Sequence, residues 1–284
     1  MGDDLTRRLE AGVDDVDELI DLGCDLADAG RQEDAERCFR RAAAHGDAVA
    51  MFNLGNTLRE LGRLEEAAAT LQDAGAAGND DAWLNLGQVL EDLGDLSGAM
   101  TAYGAAAAAG DSNGTLSLAF MLREQGERDR AIQAATEAVA AGNDQAVGVL
   151  ACWRWCATLD PALEPDLRAG ADHFPAARSD LAALLLATGR ATEAREVLEH
   201  GAKLGEGESM LPLGNLYSSL GELTAAEDAY RAGIRAGDTY CHNNLGLLLI
   251  DRGDIAHARE QLRRGAAAGD ALAAKHLKEL LDED

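Results

Sequence analysis

Two cysteines, Cys152 and Cys156, stand four residues apart around Trp153 and Trp155 in the stretch VLACWRWCATL. On a helix that spacing puts both thiols on one face, the first requirement of a soft-metal site. Zinc asks for four ligands, and neither His173 nor any other cysteine stands at ligand spacing, so buried thiols are expected and a metal is not. The six histidines (His45, His173, His200, His242, His257, His276) are scattered near helix ends and turns. Acidic pairs such as Asp14–Asp15 and Glu65–Glu66 are common, but adjacent residues of a helix point in different directions and form no acid–base couple. No Gly-rich phosphate loop, no H-E-x-x-H and no G-x-S-x-G occurs. The expectation is a protein that is not an enzyme and holds no cofactor.

Asparagine is the polar type that remains. Asn53, Asn56, Asn85, Asn215, Asn243 and Asn244 recur at related places along the chain. An amide both donates and accepts, so a ladder of amides suits the backbone of an extended segment. The same residues also fit ordinary lining of a helix face.

The elements that position these side chains follow from composition and periodicity. The 284 residues carry 25 Lys and Arg against 51 Asp and Glu, a formal net charge of −26. That charge repels phosphate and excludes nucleic acid as the default partner. Hydrophobic residues make up 47%, enough for a core, yet no apolar run approaches the roughly 20 residues of a membrane span. The N-terminus lacks the apolar stretch of a signal peptide, and five scattered cysteines favour free thiols. A cytoplasmic location follows as an expectation, and 22 Arg against 3 Lys suggests a high-GC bacterial genome. From Leu64 to Leu122 there are nine acids and no base. Such a surface is either plain solvation or a field that steers a basic partner.

Internal repetition decides the architecture. Gly30, Gly62, Gly94 and Gly126 recur every 32 residues, as do Gly189, Gly221 and Gly253, with 63 between Gly126 and Gly189. Gly46, Gly78, Gly110, Gly142, Gly205, Gly237 and Gly269 repeat the same step and the same defect. Eight units therefore run from Val16 to Asp270. In the second unit Met51, Leu54, Gly55 and Leu58 fall on one helical face, Gly62 stops that helix, and Leu64, Ala67, Leu71 and Ala74 stripe the next. Leu22, Leu54, Leu86, Leu118, Leu150, Leu181, Leu213 and Leu245 fill one slot in all eight units, always followed by Gly or Ala. Facing them stand Ala35, Ala67, Ala99, Ala131, Ala194, Ala226 and Ala258, then Phe39, Leu71, Tyr103, Leu198, Tyr230 and Leu262. One such hairpin cannot bury its apolar face alone and must stack.

The pattern resembles the tetratricopeptide repeat, whose W-x2-L-G-x2-Y…A-x3-F signature is met by Trp83, Leu86, Gly87, Leu90, Ala99 and Tyr103. The Gly-Asp linker, which shortens the unit to 32 residues, is similar to that of the related Sel1-like repeats. The resemblance implies an all-α α-solenoid, a right-handed superhelix of about eight helical hairpins with terminal capping helices and a concave groove. On that scheme residues 1–15 form a cap, 16–143 repeats 1–4, 144–174 a degenerate repeat 5, 175–270 repeats 6–8, and 271–284 a closing helix and tail. In repeat 5, Thr158 replaces the turn glycine and Pro161, Pro165 and Pro175 crowd together. This is either a neutral loss of one residue or a hinge. The family's groove-facing slots place Leu84, Gln88, Leu116, Phe120, Cys152, Trp155 and Leu186 along the groove, beside Asn53, Asn56, Asn85, Asn215 and Asn243. Phe120 and Trp155 are the expected anchors of an exposed apolar strip. The implied function is a non-catalytic scaffold or adaptor for a protein or peptide with basic and hydrophobic residues. Self-association and service as an accessory subunit of a separate enzyme are the alternatives; neither a membrane nor a nucleic acid is an expected partner.

Overall fold

The computed structural model describes residues 2–10 and 12–282. Met1 and Ala11 of the expected N-terminal cap, and Glu283 and Asp284 of the expected tail, lie outside them. Among the described residues every regular element is helical. Helix α1 (Gly2–Glu10) precedes seven regular hairpins and one irregular one. The first four are α2 (Val16–Asp28) with α3 (Gln32–Ala43), α4 (Ala48–Glu60) with α5 (Leu64–Ala76), α6 (Ala82–Asp92) with α7 (Leu96–Ala108), and α8 (Ser112–Glu124) with α9 (Arg128–Ala140). The irregular fifth pairs α10 (Asp144–Thr158) with a 3-10 turn (Pro161–Leu163) and α11 (Glu164–Gly170). Then come α12 (Pro175–Ala187) with α13 (Ala191–Leu204), α14 (Gly207–Ser219) with α15 (Leu223–Arg235), α16 (Cys241–Asp251) with α17 (Ile255–Ala267), and a final α18 (Ala271–Asp282). The chain is an all-α solenoid whose helices gather into two compact units, divided between Asn143 and Asp144.

The turns inside the hairpins follow one plan. Leu61 ends α4, Gly62 adopts φ 75°, its N–H bonds to Arg59 O and the N–H of Arg63 bonds to Leu58 O at 2.8 Å. This closing motif needs a residue without Cβ strain in the left-handed region. Asp47 opens the same helix by accepting from the Ala50 N–H at 2.8 Å. Hairpins close on a contact between a small residue and a large one sixteen positions later, except the fourth, where both positions hold buried alanines, Ala119 and Ala135. A Cβ on Gly55 would lie 2.6 Å from Leu71 Cγ, and one on Gly246 would lie 2.7 Å from Leu262. Gly23 meets Phe39, Gly87 meets Tyr103 and Gly214 meets Tyr230 in the same way.

The fifth hairpin keeps this plan with altered parts. Helix α10 runs to Thr158, and Leu159 takes the left-handed turn with φ 52° and 64% exposure. Asp160 caps the 3-10 turn by accepting from Ala162 N–H at 2.9 Å, and Pro161 starts it. Pro165 falls in the first turn of α11, where its missing N–H breaks no bond. That helix is left with seven residues. Leu167, which the sequence pattern did not single out, is fully buried sixteen residues after Ala151, so it fills the slot of Leu71 and Tyr103.

Three substitutions test this packing by urea unfolding. Gly87→Ala should lower stability by about 1–3 kcal/mol, because the core cannot take the added methyl without strain. In the same hairpin Gly104, with nothing within 4 Å of its would-be Cβ, should gain up to about 1 kcal/mol as Ala through helix propensity. Leu159→Gly should stabilise by about 1 kcal/mol, since a left-handed side chain costs ~1–2 kcal/mol and glycine returns part of that as chain entropy. A loss of stability in Leu159→Gly would place the turn's strain elsewhere.

Candidate functional site

Within each unit first helices of neighbouring hairpins touch, and in several pairs a side chain on one reaches the next. With a repeat of 32 residues, a side chain meets one 29 positions later, which is one period less one helical turn. In the first unit Asn85 Nδ2 donates to Asn56 Oδ1 at 2.7 Å. In the second unit Asn244 Nδ2 donates to Asn215 Oδ1 at 2.6 Å. The shortened fifth repeat makes the step 28, where the Cys152 thiol hydrogen-bonds to Asp180. Burial holds the Asp180 carboxyl above its ordinary value, and that bond opposes the rise. These rungs tie first helix to first helix.

The next rung is missing. At its two ends stand Ala183 on α12 and Pro212 on α14, neither of which can hydrogen-bond through its side chain. In place of the rung lies an apolar groove of about 400 Å³ lined by Ala182, Ala183, Leu186, Leu211, Pro212 and Leu216, with Ser179, Asn215 and Ser219 at its polar edges. Pro212 sits inside α14, so the Glu208 carbonyl loses the N–H it would receive from residue 212. The Ser179 hydroxyl supplies the replacement, donating to Glu208 O at 2.8 Å.

Two of the residues expected at a binding face come together here: Leu186, 40% exposed, and Asn215. The others do not join them. Asn56 and Asn85 are bonded to each other, and Gln88 accepts from Arg59 at 2.6 Å. Asn53, Leu84 and Phe120 are half-buried, and Leu84 packs on the cluster around Tyr103 and Met121. Leu116, Cys152 and Trp155 are only 4%, 6% and 6% exposed. The expected exposed apolar strip with Trp155 as anchor is therefore corrected: these three are core residues. Asn243 is also buried and hydrogen-bonds within the protein. Pro212, Ser179 and Leu211 were not anticipated, although a proline at the slot of Asn53, Asn85 and Asn244 was a readable signal.

The titratable groups do not converge on the groove. Glu164 is held below the ordinary carboxylate range by hydrogen bonds from Arg190 and Arg168, at hairpin turns. Burial, with Asp238 adding to it, pushes the Cys241 thiol up to about 12, so it stays protonated. Among the described residues no group of three or more His, Cys, Asp or Glu is placed to hold a metal ion, and no helix is long and apolar enough to cross a membrane.

Three models of the tetratricopeptide repeat match the chain, over residues 20–81 and 75–115, over 175–200 and 239–264, and over 208–236, together more than half of it. Comparison with curated proteins gives no match. Among solved structures the chain is similar to c5321, a protective antigen present in uropathogenic Escherichia coli strains that displays an SLR fold. Identity there is 20% and the TM-score 0.69, over 99% of this chain and 67% of that one. It is similar too to a tetratricopeptide repeat protein from Parabacteroides merdae, at 16% identity and a TM-score of 0.56, over 82% and 98% of the two chains. At these identities the likeness is one of fold.

The Ser179–Glu208 bond makes a double-mutant cycle. Ser179→Ala should cost about 1 kcal/mol, the net worth of one hydrogen bond. In a Pro212→Ala background, where residue 212 again has an N–H, the same change should cost close to nothing. Equal costs in both backgrounds would show that Ser179 does not substitute for the missing donor.

Proposed function

The chain belongs to the tetratricopeptide repeat family, and on that premise we propose that it is a non-catalytic scaffold that binds a protein or peptide partner through the first-helix face. The observation that carries this reading is the groove between α12 and α14, an apolar depression opened where Ala183 and Pro212 replace the cross-helix rung. Exposed apolar surface edged by polar groups is the usual mark of an interaction site. No cationic side chain lines it, Asp180 and Glu208 stand one turn before Ala183 and Pro212, and the net charge is −26. A partner joining a hydrophobic residue to basic ones fits this surface. Scattered carboxylates tied to arginines at the turns support the non-catalytic reading.

Two substitutions separate binding from folding, read by fluorescence anisotropy of labelled, capped Arg/Leu peptides and by thermal melting. Leu186→Glu, on an exposed position, should weaken binding at least tenfold, about 1.4 kcal/mol, with the melting temperature nearly unchanged. Trp155→Ala should instead destabilise the fold by about 3–5 kcal/mol, the cost of emptying a buried aromatic site. Undiminished binding by Leu186→Glu would move the partner's site off this groove.

A further inference from the structure

Asn215, at the edge of the groove, has only one way left to hydrogen-bond. Its Oδ1 accepts from the Tyr230 hydroxyl at 2.9 Å and from Asn244 Nδ2 at 2.6 Å. Two donors saturate an amide oxygen. The orientation of the side chain is thereby fixed, and what it offers outward is the NH2 group alone. Behind it runs a chain of bonds with one direction. His276 Nδ1 lies 2.8 Å from Asn243 Oδ1, and since that oxygen only accepts, the nitrogen carries the proton. Asn243 Nδ2 donates to Asn244 Oδ1 at 3.0 Å, and Asn244 donates on to Asn215. Every donor in this relay points toward Asn215, an arrangement in which successive bonds polarise one another and strengthen the last donor.

The two hydroxyls of the groove have the opposite character. Ser179 Oγ spends its proton on Glu208 O, and Ser219 Oγ spends its proton on Leu216 O at 2.7 Å. Both keep lone pairs, so toward a ligand they are acceptors. The groove thus combines an apolar floor, one fixed N–H donor and two hydroxyl acceptors. An extended peptide offers the matching set, an apolar side chain flanked by a main-chain carbonyl and N–H groups. A carboxylate is disfavoured, because the lining holds no cation and Asp180 and Glu208 stand one turn away.

We infer that the groove reads one large apolar side chain of an extended peptide together with the neutral main-chain carbonyl beside it, which Asn215 Nδ2 receives. This rests on the peptide-binding reading above and adds the atom that fixes the peptide's register. Basic residues on either side of the apolar one complete the complement to the acidic surroundings.

The test uses the full chain, labelled with nitrogen-15 and at its leucine methyls, and two probes, acetyl-Arg-Leu-Arg-amide and acetyl-Arg-Ala-Arg-amide. The leucine probe should shift the side-chain NH2 signals of Asn215, assigned by their loss in Asn215→Asp, and the methyls of Leu186 and Leu211. The alanine probe at the same concentration should leave them in place. Asn215→Asp should weaken the leucine probe at least fivefold, although its added negative charge favours the arginines. Tighter or equal binding by Asn215→Asp, or methyl shifts with a stationary Asn215 amide, overturns the carbonyl assignment and leaves the apolar groove standing. Stationary methyls and amide together overturn both readings.

Discussion

The hairpins of this solenoid, the fourth excepted, depend on the contact between a residue with little or no side chain and a large one sixteen positions later. Where Gly55 meets Leu71, the two helices of a hairpin approach until even one methyl would not fit. That closeness fixes the crossing of the hairpin, and the crossing fixes where its neighbours can stack. Small residues recur between hairpins as well: Gly265 is packed against Ala273, eight positions on, and Gly114 against Ala106. Two spacings, sixteen within a hairpin and eight between hairpins, therefore set the geometry of each unit. The facing slot of alanines, Ala35, Ala67, Ala99, Ala131, Ala194, Ala226 and Ala258, is likewise small and at 0% exposure throughout.

A frame this regular makes its exceptions informative. The first-helix face repeats one opportunity, a side chain that reaches its counterpart on the next helix. Amides close it at Asn56–Asn85 and at Asn215–Asn244. Ala183 and Pro212 cannot close it through their side chains, and an apolar groove lies there between α12 and α14. A proline inside a helix normally costs several kcal/mol, and part of that is offset by Ser179, whose hydroxyl takes the place of the lost N–H. The same neighbourhood holds the Arg178–Glu206 ion pair, with Arg178 4% exposed and bonded also to Ala171 O. Glu206 stands where Asp47 caps α4, but it reaches sideways to Arg178 and makes no side-chain cap of its own. Local rules are relaxed in this region while the hairpin contact is kept.

The hairpins were legible because glycine marks backbone conformation directly: each turn glycine of both series has positive φ in the structure. Leu186 and Asn215 were legible because a periodic slot identifies the face on which a side chain lies. A slot does not give depth. Leu116, Cys152 and Trp155 lie on the expected face yet are buried, since depth depends on what packs over a residue from elements distant in sequence. Asn243 was misjudged for the same reason, being one residue from Asn244 but turned inward. Leu167 was passed over because prolines and the missing glycine obscured the repeat, whereas its spacing from Ala151 was intact. Pro212 was visible but unread, because its effect is the absence of a hydrogen bond and appears only when Ser179 is seen to supply one.

The small slot is filled differently on α18. This helix occupies the first-helix position of a ninth hairpin, and Leu281 stands where Leu58, Leu185 and Leu249 stand in earlier ones. Those leucines are 1%, 0% and 6% exposed, but Leu281 is 49% exposed. An open apolar position of this kind invites another helix. The residue that would have to admit it is Lys278, which stands at the slot of Gly55, Gly87, Gly214 and Gly246. A lysine there puts a four-carbon stem and a strongly hydrated ammonium where a ring or a leucine must pass, so a second helix of the usual kind cannot seat against it. On the binding reading proposed above, the surface that a partner meets is the first-helix face at the gap between Ala183 and Pro212, where an apolar groove replaces the rung.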